Sequence, residues 1–125
     1  MRLYTKDHTW VLADGTRARV GISDFAQKEL GDIAYVELPP AGKRLERGEV
    51  ACTVDSLKSS SEVYSPVTGT VTEVNAVLAS DEKCGLVNTD PLGEGWLFSL
   101  EMSDPAELKL LLAETDYMSY IQGHQ

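Results

Sequence analysis

The chain has 125 residues, 42% of them hydrophobic and 25% charged, which is enough to form one core of ordinary domain size without staples. Eleven Lys+Arg against twenty Asp+Glu leave a net charge of −9, which argues against nucleic acid and anionic membrane as partners, since both need basic patches. There is no apolar run long enough for a membrane span, and Met1-Arg2-Leu3-Tyr4 lacks the apolar stretch of a signal peptide, so the expectation is a single soluble, cytoplasmic, monomeric domain over residues 1–125.

Short strands with turn punctuation come first. Leu3-Tyr4-Thr5 and Thr9 to Leu12 read as strands, and Asp14-Gly15 signals a hairpin. Ala18, Val20 and Ile22 alternate with Arg17, Arg19 and Gly21, the pattern of a half-buried strand. Ser23 is placed to cap a short helix running to Leu30, with Gly31 as its stop. Ile33 to Leu38 is the next strand, ended by Pro39-Pro40 and Gly42. Val50 to Val54 and Glu62 to Tyr64 flank the polar tip Asp55-Ser56-Leu57-Lys58-Ser59-Ser60-Ser61. Thr70 to Val74 and Trp96 to Met102 complete the strands. Asp104-Pro105-Ala106-Glu107 has the form of a helix start with a capping box, followed by Leu108, Leu111 and Leu112 at i, i+3, i+4 spacing. Thr115 is placed to cap another short helix ending near Gly123, so the C-terminal helical segment spans about 104–122. Two Pro-x-x-Gly turns, Pro39 to Gly42 and Pro66 to Gly69, lie on either side of the tip, as in a pseudo-symmetric sandwich folded about it. The fold expected is a mainly β barrel or sandwich with helices packed outside.

Catalytic candidates are scarce. His8 and His124 are the two histidines, and no nucleophile elbow, phosphate loop or zincin motif is present. Cys52 and Cys84 lack zinc-ligand spacing, so no metal is expected. Cys52 alternates with Val50 and Val54 and reads as core; Cys84, beside Gly85 and after Ser80-Asp81-Glu82-Lys83, reads as an exposed loop. A carrier or binding module fits better than an enzyme.

Of the six lysines, Lys58 stands out by its surroundings. It is either an ordinary solvated turn residue or a lysine presented to another enzyme. Serines flank it, Leu57 is its one bulky neighbour, and acylation there would extend a long flexible stem.

The sequence also resembles a known family. Val20 to Gln27, Leu30-Gly31-Asp32, Val36-Glu37-Leu38-Pro39, Asp55-Ser56-Leu57-Lys58 and Tyr64-Ser65-Pro66 are similar to the glycine cleavage system H proteins. So are Gly69-Thr70-Val71, Leu86-Val87-Asn88, Gly95-Trp96-Leu97 and Ser103 to Leu108, in order from about Tyr4 to Ile121. The resemblance implies a flattened hybrid β-barrel sandwich, like other lipoyl and biotinyl carriers, with lipoate attached at Lys58. It implies a carrier that is not itself an enzyme. The arm takes an aminomethyl group from glycine decarboxylase (P protein, a pyridoxal-phosphate enzyme) to the tetrahydrofolate-dependent aminomethyltransferase (T protein). Dihydrolipoyl dehydrogenase (L protein) then reoxidises it, and a lipoylating enzyme attaches it. Asp55, three residues before the lysine, would be read by that lipoylating enzyme. The resemblance also implies a surface cleft for the arm, with Glu62 and His8 beside it; bland readings are a solvated strand-end acid and a strand histidine next to Trp10. The family's usual Glu-Ser-Val-Lys-Ala is here Asp55-Ser56-Leu57-Lys58-Ser59, and its usual His-Glu-Trp is His8-Thr9-Trp10, which lacks the acidic side chain. A lipoate relay serving other enzymes is the alternative, alongside a lipoyl or biotinyl domain of a larger complex and an unmodified interaction protein.

Overall fold

Period-two alternation and turn residues build the computed structural model, which describes residues 2–80 and 82–122, into two antiparallel sheets. The strands are β1 (Arg2–Tyr4), β2 (Thr9–Asp14), β3 (Arg17–Ile22), β4 (Ile33–Glu37), β5 (Arg44–Leu45), β6 (Val50–Ser56), β7 (Ser60–Tyr64), β8 (Gly69–Val74), β9 (Phe98–Met102) and β10 (Leu112–Ala113). The helices are α1 (Asp24–Leu30), α2 (Leu86–Thr89) and α3 (Glu114–Gln122). The large sheet runs β10-β1-β2-β3-β9-β8-β5 and the small one β4-β6-β7. Val11, Val20, Val71 and Leu100 of the large sheet share one apolar cluster with Val36, Val54 and Val63 of the small sheet. The mainly β sandwich expected from the sequence is therefore present, with both sheets open. His124 and the helix end expected near Gly123 lie outside the described residues. Among those residues, no helix is long and apolar enough to cross a membrane.

Local chemistry explains the pieces that frame the lysine. Ser23 Oγ accepts from the Ala26 N–H at 3.2 Å, and Gly31, at φ +80°, ends α1. Trp10 lies fully buried over Gly21, where a Cβ would sit 2.6 Å from the indole. The two Pro-x-x-Gly turns lead into β5 and β8, which pair with each other.

The C-terminal segment contains the second of its two expected helices, as α3, but departs from the first. Residues Pro105–Leu110 form 3-10 turns, and Leu112 joins β10 instead of continuing a stripe. The reason is β1, whose open edge is covered by β10 through Leu3↔Ala113 and Tyr4↔Leu112. Asp104 does cap, accepting from the Ala106 N–H at 3.2 Å. Glu107 closes no capping box; its carboxylate takes the Thr68 N–H at 2.6 Å and the Thr68 hydroxyl at 3.0 Å.

Cys84 also corrects its expectation. It is buried at 3% exposure, with Sγ 3.5 Å from the Ile33 carbonyl oxygen. Ser80, Glu82 and Lys83 are exposed while the turn folds the thiol inward against β4. A second, smaller cluster of Tyr4, Trp10 and Tyr117 holds α3 to the large sheet, with the two tyrosine rings stacked at 4.4 Å.

Candidate functional site

Strand β6 ends at Ser56 and β7 begins at Ser60, leaving Leu57-Lys58-Ser59 as the tip. The Ser56 N–H donates to the Ser59 carbonyl at 2.8 Å. The Ser56 hydroxyl oxygen accepts from the N–H groups of Ser59 at 3.0 Å and Lys58 at 3.3 Å. Among the described residues, His8 is the one non-glycine position with positive φ, so the tip needs no glycine. The tip also rests on a neighbouring turn: the Leu57 N–H donates to the Asp32 carbonyl at 3.0 Å. Lys58 Cε lies 3.3 Å from where a Gly31 Cβ would be. Lys58 is exposed and forms no ion pair with a described residue. By contrast, Lys28 pairs with Asp24 at 3.0 Å and Lys43 with Glu49 at 4.0 Å.

Beside this tip, between the β7 edge and α1, lies a cleft of about 180 Å³. Ile22, Phe25, Ala26, Leu30 and Val63 give it an apolar lining. Asp7, His8, Glu29 and Glu62 bring ionisable groups to it, and Thr9 lines it as a buried residue. The structure therefore brings His8 and Glu62 to one place, with Lys58 next to it. Asp55 is not part of the lining; it sits across from Tyr35 and Ser60 in the sheet and accepts a hydrogen bond from the Ser60 hydroxyl.

His8 is not a strand residue. It occupies a bend before β2 at φ +69°. Its Nδ1 lies 2.8 Å from the Tyr117 hydroxyl, which is 2.6 Å from Ser23 Oγ. Burial pushes the Tyr117 phenol up, while the Ser23 hydrogen bond pulls against it. The Phe25 ring packs 4.6 Å from the imidazole. α1, α3 and the β2 approach thus fix one wall of the cleft together.

Glu29 was missed by the sequence reading. The signal was present: 25, 26, 29 and 30 share one helical face, so any cleft containing Phe25 also meets Glu29. A larger groove of about 470 Å³ lies between α1 and α3, but no hairpin residue lines it.

Burial pushes the Cys52 thiol up to about 12, with the Glu37 charge adding to the effect. Among the described residues, no group of three or more His, Cys, Asp and Glu is placed to hold a metal ion. What the site offers is an accessible primary amine on a well-held turn, with a half-apolar, partly acidic cleft alongside.

The sequence matches the family model described as glycine cleavage H-protein over residues 2–124. It is 50% identical over 119 residues to the glycine cleavage system H protein of Methylocella silvestris, covering 95% of this chain and 94% of that one. It is 44% identical to the Thermotoga maritima glycine cleavage system H protein, covering 96% and 95%. The crystal structure of a glycine cleavage system H protein from Mycobacterium marinum superimposes with a TM-score of 0.86 at 35% identity, covering 97% and 96%. The chain belongs to the glycine cleavage H-protein family.

Proposed function

We propose that the protein is a lipoyl carrier of the glycine cleavage system, with lipoate joined by an amide bond to Lys58 Nζ. The observation that carries this reading is the lysine's position: exposed at the apex of a hairpin, flanked by small serines, and adjacent to a cleft. The residues fit the group, since the approach to Nζ is open and the apolar cleft lining suits an aliphatic stem. When attached, lipoate supplies a disulfide that accepts the aminomethyl group of glycine and, after that group is passed on, two thiols that are reoxidised.

This chain's own residues present and shelter. The Ser56 and Asp32 hydrogen bonds fix where Lys58 leaves the surface. Asp55 displays a carboxylate near the tip, suited to a basic surface on the lipoylating enzyme. Glu62 and Glu29 offer negative charge to a carried amine, and the apolar wall excludes water from it. The chemistry belongs to partners: glycine decarboxylase, the aminomethyltransferase and dihydrolipoyl dehydrogenase.

The test is incubation with lipoate, ATP and a lipoate ligase, read by intact mass and peptide mapping. One lipoyl group on Lys58 is expected. Modification at Lys43 or Lys83 in its place overturns the assignment.

A further inference from the structure

Asn88 lies in α2, within Leu86-Val87-Asn88, a stretch that plays no part in the site as described so far. Its side-chain amide is spent on one small region. Nδ2 donates to the Gly31 carbonyl at 2.8 Å and to Gln27 Oε1 at 3.0 Å. Oδ1 accepts from the Ile33 N–H at 2.9 Å. These three bonds join the last turn of α1, its glycine cap and the first residue of β4, all more than fifty residues away in the chain.

The same segment supports the lysine tip from its other side. The Leu57 N–H bonds to the Asp32 carbonyl, and the Lys58 stem passes over Gly31. The β4–β6 ladder reaches this point through Ile33↔Ser56, but a register shift between Ile33 and Tyr35 separates that pair from the rest of the ladder. Asn88 compensates for that irregularity by gripping residues on both sides of Asp32.

We infer that Asn88 is a positioning residue for Lys58: it fixes the turn between α1 and β4 on which the tip rests, and so sets the direction of the arm. The functional meaning rests on the carrier reading, whereas the mechanical link does not.

The experiment compares Asn88→Asp and Asn88→Ala with wild type and with Asn75→Ala. The aspartate keeps an acceptor for Ile33 and loses both donors, and it serves where the alanine variant does not fold. Asn75 is a matched control, since its Nδ2 donates to the Glu94 and Trp96 carbonyls at 2.8 Å each, in another loop. Amide hydrogen exchange is measured on the unlipoylated proteins. The Leu57 amide should exchange about tenfold faster in the Asn88 variants, with Val54 unchanged, as expected for local opening. Lipoylation kcat/KM should fall about tenfold, the scale of a small misplacement of a reacting group. Asn75→Ala should alter neither readout. An unchanged Leu57 amide in a folded Asn88 variant overturns the inference, as does an equal loss in Asn75→Ala. If wild type accepts no lipoate, the carrier reading fails, while the exchange data still decide the mechanical link.

Discussion

The β2–β3 and β6–β7 hairpins solve the same problem in different ways. At Asp14-Gly15-Thr16-Arg17 the backbone does the turning, with Gly15 at φ +63° and no atom within 4 Å of where its Cβ would be. At Ser56 to Ser60 a side chain and a neighbouring turn assist the backbone bond from Ser56 to Ser59: the Ser56 hydroxyl gathers two N–H groups, and the Asp32 carbonyl takes that of Leu57. A glycine-built turn has no side chain to offer at its glycine. A turn closed by serine and an outside acceptor keeps ordinary backbone angles, so any L residue fits at its apex without strain. That is what the proposed attachment of an arm to Lys58 requires of the turn.

The largest separation between the two turns should come from Lys58→Arg. Stability should stay within about 0.5 kcal/mol of wild type, as for an exposed turn substitution. Lipoylation should vanish, because a guanidinium is always charged and a poor nucleophile; intact mass reads this directly. Next in size is the paired comparison of Gly15→Ala with Ser56→Ala. The first should cost about 1–2 kcal/mol from left-handed strain and leave lipoylation unchanged. The second should cost about 1 kcal/mol from lost turn hydrogen bonds and also slow lipoylation. Denaturation midpoints and attachment rates measure both, and slower lipoylation of Gly15→Ala would break the contrast.

Smaller effects test the surroundings of the lysine tip. Glu62→Gln and Glu29→Gln should each speed loss of the carried amine from a loaded carrier about two- to fivefold, the size of a partly screened ion pair. Ammonia release without aminomethyltransferase is the assay, and unchanged release in both removes charge pairing from the cleft. The smallest change is expected for Asp55→Asn, which should slow lipoate attachment about two- to threefold through one screened charge, with little change in stability.

The parts that were legible in the sequence are those set by local chemistry. Ser23 and Gly31 bound α1 as their cap preferences require, and Asp14-Gly15 marks a tight hairpin. Lys58 stood out because serines surround it. The illegible parts are set by distant partners. β10 is two residues long and exists because β1 needs an edge partner. Cys84 follows a polar run, and its burial depends on β4, fifty-one residues earlier. Glu29 shares a helical face with Phe25, which the sequence shows, but that this face borders a cleft depends on β7, which supplies the opposite lining. His8 read as a strand neighbour of Trp10, but it sits in a left-handed bend whose N–H donates to the Thr5 carbonyl, and its ring meets the Tyr117 hydroxyl of a helix over one hundred residues later.

That last contact has a consequence for how the protein is made. The residues of the lysine hairpin have all been added once synthesis passes Tyr64, well before those of α3. His8 meets its hydroxyl partner only after Tyr117 has been added and α3 has docked. The wall that includes His8 is therefore the last part of the cleft to gain its support, after the residues of the hairpin and of α1 have been made. Chains are synthesised at about 5–20 residues per second, so the interval between making the hairpin and making α3 lasts seconds. A chain that stops short of Tyr117 lacks the hydroxyl that holds the His8 ring, so the proposed shelter for an arm on Lys58 depends on the last helix.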